Sequence, residues 1–85
     1  MARYQILYWK DIPAQVRVYP EGGRPLSRPL PDRFQRKIDA RAMSEGLYGT
    51  DDYLQYWRWT EKRERDLPAN DLLDALLREL DQEEQ

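Results

Sequence analysis

Residues 4–10 (YQILYWK) and 15–19 (QVRVY) are both rich in β-branched and aromatic side chains, and only residues 11–14 (DIPA) separate them. That arrangement constrains the fold more than any other feature. Side chains of this type favour a pleated, half-buried surface. Two such runs this close together can pair only as an antiparallel hairpin. Pro13 cannot donate to a β-ladder and biases Ile12 towards extended geometry, so it marks the break. The second run alternates cleanly, with Val16 and Val18 on one side and Gln15, Arg17 and Tyr19 on the other. The first run has Tyr4, Ile6 and Tyr8 on one side and Gln5, Leu7 and Trp9 on the other. Neither side of it is plainly polar, which suits a central strand or one whose second face is covered. Turn chemistry at residues 20–23 (PEGG) ends the hairpin.

Residues 24–31 read as a proline-punctuated connector. A helix is predicted next, with Pro31 in its first turn, where a missing N–H is harmless. Leu30, Phe34, Ile38 and Ala42 recur at helical spacing, Met43 widens the stripe, and Gly46 supplies the stop. Residues 53–60 (YLQYWRWT) read as a third strand, although Asp51 suits the cap of a helical turn equally well. Residues 61–66 read as a charged loop. Leu72, Leu73, Leu76, Leu77 and Leu80 then form the apolar stripe of a final helix starting near residues 68–70, with residues 82–85 expected to fray.

The expected order is β-β-α-β-α, and all 85 residues form one domain of ordinary size. Each helix has an apolar stripe that needs a partner, and a three-stranded antiparallel sheet offers one. The expected fold is therefore an α+β two-layer sandwich with both helices on one face of the sheet.

Composition narrows the chemistry. The chain has no Cys and no His, which rules out disulfides, thiolate chemistry and Ser–His–Asp or Cys–His catalysis. No catalytic motif remains, so an enzyme is not expected, nor is a cofactor. Asp51 and Asp52 are too few oxygens for a hard cation, so no metal is expected. Arg3, Gln5 and Lys10 interrupt the apolar positions after Met1, and no run is long enough to span a membrane. A soluble cytoplasmic protein is the expectation. Net charge is −2 but unevenly spread. Residues 24–41 carry six cations against two carboxylates, a net +4, while residues 66–85 carry seven carboxylates against Arg78, a net −6. The two can neutralise each other within a monomer or across a dimer.

Three stretches carry a family resemblance: YQILYWKDIPAQVRV, LPDRFQRKIDARAMSEGL and GTDDYLQYWRW. They resemble a small bacterial family labelled "virulence factor". The resemblance implies an association with virulence; it implies no chemistry and no catalytic residues.

The candidate site is an aromatic and arginine-rich sheet face. If the helices cover the side with Ile6, Val16, Val18 and Trp57, the other side presents Leu7, Trp9, Arg17, Tyr19, Tyr56 and Arg58. Rings beside guanidinium groups are the composition of interface hot spots. The same rings would serve equally as extra core. A protein partner, another chain or a second copy of this one, suits the composition best. Single-stranded nucleic acid is the competing occupant, disfavoured by the acidic net charge. A third possibility is an accessory subunit that lends Lys10, Asp11 or Arg58 to a larger enzyme. The second candidate is the basic helix set Arg33, Arg36, Lys37 and Arg41, whose plainer role is pairing with Asp32, Asp39 or the acidic final helix.

Overall fold

The hairpin is formed by β1 (Ala2–Trp9) and β2 (Ile12–Tyr19). The computed structural model describes residues 2–83. Tyr4 lies opposite Val18 and Ile6 opposite Val16, so these four share a face, while Gln5 opposite Arg17 and Leu7 opposite Gln15 share the other. The register shifts by one between Leu7 and Tyr8, which leaves Ala14 as the extra residue and seats Pro13 opposite Tyr8. Lys10 takes φ 55° in the tight connection between the strands, a left-handed conformation unusual for a residue with a Cβ.

The α+β class is as expected, but the sheet has five strands and three helices accompany it. The supposed connector contains β3 (Leu26–Pro29), paired along β2 from Gln15↔Pro29 to Val18↔Leu26. Pro25 and Pro29 are tolerated because β3 is an edge strand, where an absent N–H leaves no neighbour unpaired. On the other side of the hairpin, the strand expected over 53–60 is split. Its first half is the short helix α2 (Asp51–Gln55), capped by Thr50, whose hydroxyl accepts from the Tyr53 N–H at 3.4 Å. Only β4 (Trp57–Trp59) is extended. The supposed charged loop supplies β5 (Arg63–Arg65).

β4 and β5 both pair with β1, the first at Leu7 to Trp9 and the second at Ala2 to Tyr4. Between them Gln5 and Ile6 of β1 face the three residues Thr60, Glu61 and Lys62, a one-residue bulge. Thr60 bridges it. Its N–H donates to the Ile6 carbonyl at 3.0 Å, its hydroxyl accepts from the Ile6 N–H at 3.0 Å, and its carbonyl accepts from the Gln5 amide at 2.9 Å.

The long helices are α1 (Asp32–Ser44) and α3 (Ala69–Glu83). Pro31 is the residue just before α1 rather than inside its first turn, and its carbonyl accepts from the Phe34 N–H at 3.0 Å. At the other end Gly46 takes φ 72°. The Gly46 and Leu47 N–H groups then reach back to the Met43 and Ala42 carbonyls at 3.1 and 2.8 Å, closing the helix. Leu30, Phe34, Ile38 and Ala42 are buried as the spacing requires, whereas Met43 is 66% exposed. Of the tail 82–85, residues 82 and 83 continue α3 and residues 84–85 lie outside the described residues.

Both helices pack against β2, and Leu72, Leu73, Leu76 and Leu80 join Val16, Val18 and Tyr4 in one core. Val16 and Val18 are fully buried while Arg17 and Tyr19 between and beside them are not, which identifies the helix-bearing face. Arg65 ties β5 to α3. Its guanidinium donates to both Glu79 oxygens, at 2.7 and 2.8 Å, and lies 5.8 Å from the Tyr4 ring centre. Those hydrogen bonds hold the Glu79 carboxyl below its ordinary 4.5. A depressed carboxylate pKa stabilises the folded state above the ordinary Glu range, and the effect is lost as pH falls through the lowered value. Glu79→Gln should therefore be less stable than the parent near neutral pH, by at most about 1 kcal/mol for a half-exposed pair. Denaturant unfolding across pH should show that difference closing below about pH 4. A difference that persists at low pH would mean the glutamine harms packing instead.

Candidate functional site

The sheet face opposite α1 and α3 is assembled by the alternation of the strands. β1 contributes Arg3, Gln5 and Leu7, β2 contributes Gln15, Arg17 and Tyr19, and β3 contributes Ser27, opposite Arg17. The partner of Leu7 on β4 is Trp59. At its centre the Arg17 guanidinium stacks on the Trp59 ring, 4.5 Å from the ring centre, and its Nε donates to the Ser27 hydroxyl at 3.2 Å. Tyr19 donates its hydroxyl to the Gln5 side-chain oxygen at 2.5 Å, and the Lys62 ammonium lies 4.4 Å over its ring. These contacts hold five long side chains, Gln5, Arg17, Tyr19, Trp59 and Lys62, in one arrangement while leaving Trp59 36% exposed. Beside Tyr19 a cleft of about 390 Å³ opens, lined by Arg3, Lys62, Glu21 and Glu64 among others.

Of the six residues expected on this face, Leu7, Arg17 and Tyr19 are there. Trp9 is on the same register row but fully buried. α2 closes over it: the Tyr53 and Tyr56 rings lie 5.5 and 5.9 Å away, and the indole N–H donates to the Tyr53 carbonyl at 2.9 Å. Its polar edge is thus satisfied inside the protein. Tyr56 sits at the end of α2, before the strand begins, and packs on Trp9 and Lys10. Arg58 lies opposite Tyr8, so it belongs to the helix-bearing side. Pairing puts Trp59 opposite Leu7, on the open face, and Trp57 opposite Trp9, where it is half-buried against the core. A one-residue difference in register exchanges the faces of a strand.

The basic helix set is dispersed among structural contacts. Arg33 pairs with Asp81 of α3, which joins the basic and acidic segments within one molecule. Arg41 pairs with Asp11 at the hairpin tip and with Glu45, the latter at 3.0 Å. Lys10 also pairs with Glu45 and places its ammonium 4.5 Å over the Tyr56 ring. Lys10 and then Arg41 donate to Glu45, which holds its carboxyl below the usual range. The pair Lys10–Asp11 therefore clamps the hairpin onto the end of α1. Arg36 and Lys37 are exposed on that helix. Asp51 and Asp52 lie in the first turn of α2, and among the described residues no group of three or more carboxylates is placed to hold a metal ion. No helix of the described residues is long and apolar enough to cross a membrane.

No curated protein sequence and no solved structure matches the chain. A family profile does, over residues 7–84, from the last residues of β1 through α3. With nearly its whole length matched, the chain belongs to the family described as Virulence factor.

Proposed function

We propose that this protein is a non-enzymatic interaction module that docks another protein on the open sheet face. The observation that carries the proposal is the Arg17–Trp59 stack, held by Ser27 and flanked by the Tyr19–Lys62 pair. Side chains already ordered before binding lose little further freedom on contact, and Trp, Tyr and Arg dominate interface energetics. The cleft beside Tyr19 is balanced, with Arg3 and Lys62 against Glu21 and Glu64, so the excess charge at the stack is that of Arg17. The partner surface that fits combines an apolar side chain for Trp59 with a carboxylate for Arg17. Stacking of a single nucleic-acid strand would need several free rings in succession. Here the Tyr19 ring is occupied by Lys62, so the composition favours a protein.

Trp59→Ala and Arg17→Ala should each weaken the association by more than about 2 kcal/mol if they are its hot spots, with the fold intact. The measurement is a quantitative pull-down with parent and variant chains side by side. Binding of any protein so found is then remeasured by calorimetry with purified components. Equal capture by the parent and both variants would refute the proposal.

A further inference from the structure

α1 and α3 centre on β2, with α3 reaching β3 and touching β5 through Arg65–Glu79, so the row of Ile6, Tyr8 and Arg58 beside them is only partly covered. A cleft of about 300 Å³ lies there, lined by Tyr4, Ile6, Tyr8, Arg58, Thr60 and Arg63. Arg58 is opposite Tyr8 and Arg63 is opposite Tyr4. In a regular strand residues 58 and 63, an odd number apart, would point to opposite faces. The bulge at residues 60–62 reverses the alternation once and brings both arginines to the same side. Bulges recur where a strand re-aims a side chain for function.

The charge in this cleft is uncompensated. Arg3, Arg33, Arg41 and Arg65 each pair with a carboxylate. The contact of Arg58 is a long hydrogen bond of 3.4 Å to the Lys10 carbonyl. Among the described residues no carboxylate lines the cleft. The two arginines are thus brought to one side of the strand with no carboxylate lining the cleft beside them.

We propose that this cleft binds a phosphate-bearing small molecule, with Arg58 and Arg63 gripping the phosphate and the Ile6–Tyr8 wall contacting the group it is attached to. Two guanidiniums match the charge of a phosphomonoester, about −1.5 to −2 near neutral pH, better than that of a single carboxylate. Their planar donor forks suit its oxygens. The volume lies at the small end of ligand pockets, which favours a compact molecule over a large cofactor. This site is on the opposite side of the sheet from the docking face and stands independently of it.

The test is an amide and arginine-Nε NMR titration of the full chain with phenyl phosphate, repeated with benzoate, which presents the same ring on a carboxylate. Saturable shifts at Ile6, Tyr8, Thr60, Arg58 and Arg63 are expected. Affinity should fall about tenfold or more in the double variant Arg58→Gln/Arg63→Gln, and should be unchanged in Arg36→Gln. The double variant Arg58→Lys/Arg63→Lys keeps the charge without the fork, should bind with intermediate affinity, and stands in if the glutamine variant misfolds. Shifts that never saturate, shifts that survive in the double variant, or benzoate binding as tightly as phenyl phosphate would each overturn the proposal.

Discussion

Trp9→Ala is expected to lower stability by about 3–5 kcal/mol in equilibrium urea unfolding, the usual cost of truncating a buried ring. Trp9 is fully buried, packed between the tilted Tyr53 ring and the edge-on Tyr56 ring, and hydrogen-bonded to the Tyr53 carbonyl. These contacts tie α2 to the hairpin, so the removal of the indole loosens α2 and the entry to β4 together. A chain of 85 residues has a total stability on the order of 4–13 kcal/mol. The substitution therefore takes a large share of what exists. Trp9→Phe keeps most of the ring packing and loses the N–H, so it should lie between parent and alanine. A Trp9→Ala protein with parental unfolding behaviour would mean that the indole is not enclosed as described.

The second large effect belongs to α3. Leu72 is fully buried where the helix meets β2, and Leu72→Ala should cost about 2–5 kcal/mol through lost transfer energy and the cavity left behind. The matching control is Leu54→Ala. Leu54 is 65% exposed on α2, and its truncation should change stability by less than about 0.5 kcal/mol. Chemical denaturation of the two variants in parallel separates burial from residue type. Equal effects would contradict the packing of α3 on the sheet.

The elements legible in the sequence are those whose burial has a clean period. Val16 and Val18 alternate with polar residues, and Phe34, Ile38, Leu72, Leu76 and Leu80 recur at helical spacing, so the hairpin and both long helices follow directly. β3 was hidden because Pro25 and Pro29 argue against a strand, and only its position at the sheet edge makes them harmless. β5, with the sequence RER, buries little; backbone pairing to Ala2 and Tyr4 and the Arg65–Glu79 contact hold it, and neither leaves a periodic trace.

Residues 51–60 were the hardest to read because aromatic side chains satisfy a strand and a short capped helix equally well. The Thr50 hydroxyl that starts α2 was the available signal, since Thr before Asp-Asp is a good helix start. The alternation within residues 57–59 is legible, but which side faces the helices is set by the register with β1, which the sequence does not carry. Arg17 and Tyr19 were placed correctly because they lie on β2, where alternation is unambiguous. Trp9 was assigned to the open face because alternation alone cannot reveal that α2 covers it.

The open face depends on Arg17, Leu7 and Trp59 sharing one side of the sheet while Arg58 lies on the other. Nuclear Overhauser contacts from the Trp59 indole measure this directly. Cross-peaks to the Arg17 and Leu7 side chains, with the Arg17 side-chain protons moved upfield by the ring and restored in Trp59→Ala, are the expected result. Cross-peaks from that indole to Ile6 and Val16 would put Trp59 among the helices and leave no docking platform.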